Sequence, residues 1–347
     1  MLSLMEAGGV SFLIALMGTP LLLKFLRARR FGQRIHEDLA THRAKEGTPT
    51  MGGLAIIAAS TMGYLMGHVG TSVHFSRAGL LVVGTTVASA LLGFSDDYIS
   101  IRNARNLGLN KRAKFIGQLL IAGTFATLAV KWVKTATTLS FTRVDFPGWH
   151  LSALGWIALA IFMVVATSNA VNLTDGLDGL AAGSSTFCFG VLTIIGYWQF
   201  RHSFSPDLYR LPWALDLALV AVGLVGGCLG FLWWNAAPAR IIMGDTGSLA
   251  LGTALAALCA LLNLDLLLII IGGLFVVETM SVMLQVFSFR VFGKRIFRIA
   301  PIHHHFEMLG WPETTIIIRF WILAGLLAAL GLGLFYGDFL NIAKVVW

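Results

Sequence analysis

Ten runs of apolar residues, each close to 20 residues long, set the limits on what this chain can fold into. They lie approximately at 8 to 26, 52 to 70, 78 to 95, 115 to 133, 153 to 170, 179 to 199, 214 to 233, 246 to 262, 266 to 289 and 315 to 336. About 20 helical residues cross a ~30 Å hydrocarbon layer, in which every backbone polar group must be satisfied internally. The expected fold is therefore an all-α polytopic membrane protein with about ten transmembrane helices. The composition agrees, at 57% hydrophobic and 12% charged, roughly half the charge of a soluble domain. So many spans leave only short connections, and residues 1–347 read as one integral-membrane domain.

Lysine and arginine gather in alternate connections. Lys24 to Lys45, Arg102 to Lys114, Arg240, and Arg290 to Arg298 fall on one side, with far fewer on the other. The positive-inside rule puts these loops in the cytoplasm and both termini outside, in a bacterial inner membrane. The net charge of +8 is thus a topology signal, aided by attraction to anionic headgroups, and it does not call for nucleic acid. Glu6 precedes the first apolar run without a basic leader, so that run reads as a span and not a cleaved signal peptide. Cys188, Cys228 and Cys259 lie inside spans without disulfide or metal spacing. The stretch 135 to 149 alternates in polarity before Pro147-Gly148 and predicts a short outer-face hairpin.

Against this background the polar motifs stand out. Asn169-Ala-Val-Asn-Leu-Thr-Asp-Gly-Leu-Asp-Gly-Leu180 places two asparagines and two aspartates between long apolar runs. Such groups are costly in hydrocarbon and belong at the mouth of a cleft, where water, a metal or a substrate satisfies them. If the segment is helical, Asp175 and Asp178 share a face and suit a common cationic ligand. Asp96 and Asp97 end the third run, where like charges and the helix dipole both oppose them. A solvated helix end is the plain alternative. Neighbours on a helix diverge by ~100°, so one aspartate is expected to face a metal or nucleophile and the other to be held by the scaffold. Asp245, in Met243-Gly-Asp-Thr-Gly-Ser248, is either a simple helix cap or a third member of an acidic cluster. Clustered carboxylates suit Mg²⁺, with a diphosphate supplying further oxygens.

Three other features carry polar chemistry. Lys45, ahead of Thr48-Pro-Thr-Met-Gly-Gly53, is a candidate phosphate contact. Glu278, Ser281, Gln285 and Ser288 form a polar stripe at helical spacing, in which Gln285 is the candidate substrate contact and Glu278 serves either packing or function. The run His303-His304-His305 lacks zinc-helix spacing and points to phosphate binding or proton handling.

Taken together, Thr48 to Gly53, Asp96-Asp97-Tyr98, Asn169 to Gly183, Met243 to Ser248, Pro301 to Glu307 and Trp311 to Phe320 resemble the phospho-N-acetylmuramoyl-pentapeptide transferases. These belong to the polyprenyl-phosphate N-acetylhexosamine-1-phosphate transferase superfamily. The resemblance covers nearly the whole chain, and the triple histidine before Phe-Glu is similar to this branch in particular. It implies Mg²⁺-dependent attack of undecaprenyl phosphate on UDP-N-acetylmuramoyl-pentapeptide at the cytoplasmic face, giving lipid I and UMP in peptidoglycan synthesis, by a homodimer in the lipid bilayer. It further implies that Asp245 holds Mg²⁺ and that Asp96 and Asp97 lie near the lipid phosphate. Asn169, Asn172, Asp175, Asp178, Asn235, Ile242, Gly244 and Gln285 would line the nucleotide pocket. Lys45, His303, His304 and His305 would contact phosphate or sugar, with His304 and His305 among the catalytic candidates. Two positions depart from the pattern. Ser100 stands where a lysine is usual, which leaves Arg102, Lys111 or Lys114 to neutralise phosphate, and Ile242 replaces an aromatic before Met-Gly-Asp. The same chemistry on UDP-N-acetylglucosamine is the near alternative, and a transporter of an anionic solute the distant one.

Overall fold

The computed structural model of the chain describes residues 1–29, 47–69, 71, 73–102, 108–203, 209 and 211–346, with side chains through 342. Its helices are α1 (Leu2–Ala28), α2 (Gly53–Met66), α3 (Arg77–Arg102), α4 (Lys111–Leu128), α5 (Ala153–Thr174), α6 (Leu180–Arg201), α7 (Ala214–Asn235), α8 (Gly244–Leu261), α9 (Leu268–Ile271), α10 (Gly273–Phe292), α11 (Ile302–Met308) and α12 (Glu313–Val346). Among the described residues, nine helices are long and apolar enough to cross a membrane. The protein is thus an all-α multi-pass membrane protein, as the hydropathy predicts.

Two expected spans differ from the prediction. The run at 52 to 70 is helical only over the 14 residues of α2, about 21 Å at ~1.5 Å per residue. The run at 266 to 289 breaks at Gly272 into α9 and α10. Apolar content measures length in hydrocarbon, whereas the Gly272-Gly273 pair is where helix propensity is weakest.

α8 is the central post. Its residues Thr246 to Leu261 are all buried, and α3 and α5 flank it. The side away from α8 is closed by α1 packed on α7. That contact depends on missing side chains, because a Cβ on Gly226 would lie 2.2 Å from the Gly8 carbonyl oxygen. Without a hydrophobic drive between helices in lipid, such backbone proximity is what lets them pack. Trp234 Nε1 donates to Leu16 O at 2.9 Å and fixes the register.

One end of the bundle gathers the ends of α3, α5 and α7 and the starts of α4, α6, α8 and α12. The opposite end carries the hairpin expected near 135 to 149, found as β1 (Thr138–Arg143) and β2 (Phe146–His150), paired antiparallel. The hairpin is stapled at two points. Ser140 donates from N and Oγ to Asp265 Oδ2, in the α8–α9 connection, at 3.0 and 2.8 Å. Thr142 Oγ1 and Arg143 Nε donate to Asp338 Oδ2 of α12 at 2.6 and 3.0 Å. Burial pushes the Asp265 carboxyl up to about 7, although the Ser140 hydrogen bonds pull the other way.

Candidate active site

At the gathered end, Asp96, Asp97 and Asp245 each offer a carboxylate oxygen within 4.8 Å of the others. The backbone makes this approach possible. A Cβ on Gly93 would stand 2.2 Å from the Asp245 carbonyl oxygen, so α3 seats its last turns directly against the first turn of α8. Lys114, on the first turn of α4, pairs with Asp245 and lies 3.9 Å from Asp96.

The two adjacent aspartates have separate tasks, as their divergence on a helix predicts. Asp97 is buried and accepts from Asp245 N at 3.2 Å, Thr246 N at 3.0 Å and Thr246 Oγ1 at 2.7 Å. It therefore caps α8 from another helix and sets its charge against the positive end of α8. α3 itself runs on to Arg102, so the two aspartates stand inside the helix and not at its end, where the apolar run had placed them. Asp96 faces the cluster, and its Oδ1 accepts from Leu109 N at 2.9 Å.

Asp245 is relieved of capping duty. It sits inside the first turn of α8, where Met243 occupies the cap position without a side-chain bond. Its Oδ1 accepts from Asn172 Nδ2 at 2.7 Å, and Asn172 also donates to Ser248 Oγ at 2.8 Å. Three acidic oxygen donors, one amide and one ammonium thus converge from α3, α4, α5 and α8. Hard oxygen donors of this kind fit a divalent cation such as Mg²⁺, with Asp245 and Asp96 best disposed. Without a cation, Lys114 supplies the positive charge.

Other predicted residues build the surroundings. Asn169 donates from Nδ2 to Gln118 Oε1 at 3.1 Å and to Val165 O at 2.8 Å, one helical turn before Asn172. Asp175 ends α5, and residues 175 to 179 form a turn and not a helix. The shared helical face expected for Asp175 and Asp178 is therefore absent, because the glycines at 176 and 179 break the helix between α5 and α6. Asp178 instead accepts from Ala239 N at 2.8 Å and ties that turn to the loop before α8. Asn235 donates to Ile241 O at 2.9 Å within the same loop. Ile242 is held by its backbone, its N donating to Pro49 O at 2.8 Å and its O accepting from Gly52 N at 2.9 Å. Gly244 has φ of +72° and turns the chain into α8 beside Asp97 and Thr50. Lys45 lies outside the described residues.

The polar stripe of α10 faces the segment that follows it. Gln285 Oε1 accepts from Ile296 N and Phe297 N at 3.0 and 2.9 Å, and Ser288 Oγ donates to Lys294 O at 2.9 Å. The histidine run forms α11, which hydropathy alone did not reveal. His303 is fully buried beside Glu278, His304 pairs with Glu307, and His305 Nδ1 accepts from Arg298 N at 3.1 Å. Lys114, one of the three cations offered in place of the lysine absent at Ser100, is the one that pairs with the carboxylate cluster among the described residues. Thr246, Ser248 and Glu313 were missed as partners. All three lie within motifs already singled out, but the contact of Glu313 with Asp178 N, at 3.0 Å across 135 residues, has no local signature.

Comparison with known proteins supplies the remaining observation. The model of glycosyl transferase family 4 matches residues 79–263, and the phospho-N-acetylmuramoyl-pentapeptide-transferase signature 1 matches residues 45–57. A phospho-N-acetylmuramoyl-pentapeptide-transferase of Frankia alni is 49% identical over 345 residues, covering 96% of this chain and 97% of its own. Those of Streptomyces griseus and Saccharopolyspora erythraea are 48% and 47% identical, covering 97% and 99% of this chain and 98% and 99% of their own. With the motifs on one end of the bundle and relatives matching end to end, the chain belongs to the phospho-N-acetylmuramoyl-pentapeptide-transferase family.

Proposed function

We propose that the protein transfers phospho-N-acetylmuramoyl-pentapeptide from UDP-N-acetylmuramoyl-pentapeptide to undecaprenyl phosphate, giving lipid I and UMP in peptidoglycan synthesis. The observation that carries this reading is the convergence of Asp96, Asp245 and Lys114 at the mouth of a helical bundle. In the reaction an oxygen of the lipid phosphate attacks the β-phosphorus of the nucleotide sugar. The bond from that phosphorus to the bridging oxygen breaks, and UMP leaves. Phosphoryl transfer of this type depends on positioning and charge neutralisation more than on covalent chemistry by the protein.

The residues divide that work. Asp245 and Asp96 would hold Mg²⁺, which when bound neutralises charge on the diphosphate. Lys114 turns its ammonium from Asp245 toward developing phosphate charge, taking the part of the lysine missing at Ser100. Asn172 fixes Asp245, while the turn at Asp175 to Asp178 and the loop at Asn235 to Ile242 form the nucleotide wall. The clustering of basic loops at this end supports a cytoplasmic active site in the inner membrane.

The test is UMP release by detergent-purified protein with undecaprenyl phosphate, with and without chelator, comparing the muramoyl-pentapeptide and N-acetylglucosamine nucleotides. Chelator-sensitive release with the first alone is the expected result. Release with the second alone would move the protein to the neighbouring sugar, and silence with both would overturn the reading.

A further inference from the structure

Glu278 is fully buried in α10, a membrane-spanning helix, and its Oε2 lies 3.0 Å from Nδ1 of an equally buried His303. The contact is one of distance and not of hydrogen-bond geometry: neither oxygen of Glu278 and neither ring nitrogen of His303 has a hydrogen-bond partner among the described residues. A carboxyl and an imidazole are costly to bury without polar company, and here each has the other as its near polar neighbour. As a tether between α10 and α11 the pair is a poor choice, since two apolar side chains of similar volume hold helices together at least as well. Its value lies in fixing an orientation.

The orientation matters because of what His303 touches. A Cβ on Gly176 would lie 2.4 Å from His303 Nε2 and 3.2 Å from His304 Nε2. Both imidazoles therefore press on the backbone of the turn between Asp175 and Asp178. One helical turn earlier Asn172 grips Asp245, and from the far side of the turn Asp178 holds the loop at Ala239. Farther along the stripe, Gln285 and Ser288 bind the backbone of the segment returning from α10 to α11. The stripe thus folds the histidine helix back along α10, and Glu278 is its deepest point.

We propose that Glu278 is a positioning residue for the transfer, holding His303 and through it α11 against the turn that walls the nucleotide site. The role rests on the transferase reading above. It does not require His303 to touch substrate, and it predicts that a change at Glu278 is felt by the nucleotide sugar and not by the lipid.

The experiment measures steady-state UMP release by full-length wild type, Glu278→Gln, Glu278→Leu, His303→Leu and the double leucine variant, each substrate varied against saturating partner. For Glu278→Leu the expected result is a fall of about tenfold or more in kcat/KM for the nucleotide sugar, the lipid KM staying within about twofold. Glu278→Gln restores most of the loss, and the double variant is no worse than the poorer single one, because paired residues are not additive. Wild-type kinetics in Glu278→Leu, equal losses for both substrates, or multiplying effects in the double variant would overturn the proposal. If Glu278→Leu fails to fold, the double variant, which swaps the pair for apolar contact, decides. Wild-type kinetics there overturn the role, and a nucleotide-specific loss supports it. Wild-type protein silent with both nucleotide sugars would overturn the transferase reading itself, and this role with it.

Discussion

Adjacent carboxylates repel each other, and Asp96 and Asp97, inside α3 and more than a turn before its end at Arg102, ease that conflict by facing different partners. Asp97 has three donors from α8, whereas Asp96 has one backbone donor and the open cluster. Their asparagine variants should therefore fail in different ways. Asp97→Asn turns an amide toward groups that themselves donate, and should lower stability by about 1–3 kcal/mol, read as a fall in melting temperature in detergent. Asp96→Asn should leave melting unchanged while UMP release drops by roughly 100-fold or more. Equal melting temperatures for the two variants would contradict the division of labour. The sequence announced both aspartates and their divergence. It could not tell which was which, because the answer lies 148 residues away in the amide of Asp245.

At the scale of elements, Asp265 is one of the two acids that staple the hairpin, and the buried one. Asp265 titrates near 7 when folded and near 3.8 as an ordinary carboxyl, because burial disfavours its charge. The folded state thus binds the proton more tightly, and the stability this contributes is present below about pH 4 and lost as pH rises through about 7. Asn keeps an oxygen for both Ser140 donors and carries no charge. The Asp265→Asn variant should therefore match wild type in melting temperature at acid pH and exceed it at pH 8. A constant difference across that range would show that Asp265 does not change its protonation there. Strand alternation made the hairpin readable from sequence, whereas its staples were not, since Asp265 and Asp338 look like ordinary polar ends of apolar runs. Likewise the break at Gly272 hides inside continuous hydrophobicity, where hydropathy has nothing to register.

For the whole molecule, hydropathy and basic-residue bias determine a side for every connection. The fold agrees in grouping the polar motifs at one end and the hairpin at the other. The orientation in the bilayer is a further prediction. Cys188, Cys228 and Cys259 are buried, so single added cysteines report cleanly with a membrane-impermeant maleimide. Asp145→Cys, at the exposed hairpin tip, should label in intact cells. Lys111→Cys, exposed at the start of α4, should label only after permeabilisation, and the reverse pattern would invert the topology. Motifs separated by more than 70 residues converge because each begins or ends a helix on the same side, which sequence shows. How close they come depends on Gly93 and its neighbours, which it does not.

The cap that Asp97 gives to α8 also bears on how the chain is made. During synthesis α3 enters the membrane long before α8, and until then Asp97 lacks the amides of Asp245 and Thr246 and the pair lacks a third carboxylate. A nascent chain holding only its first seven helices thus has no cation site to fill, however much metal surrounds it. Arrival of α8 supplies the missing amides and the last acid together, so insertion of that one helix assembles the carboxylate cluster in a single step.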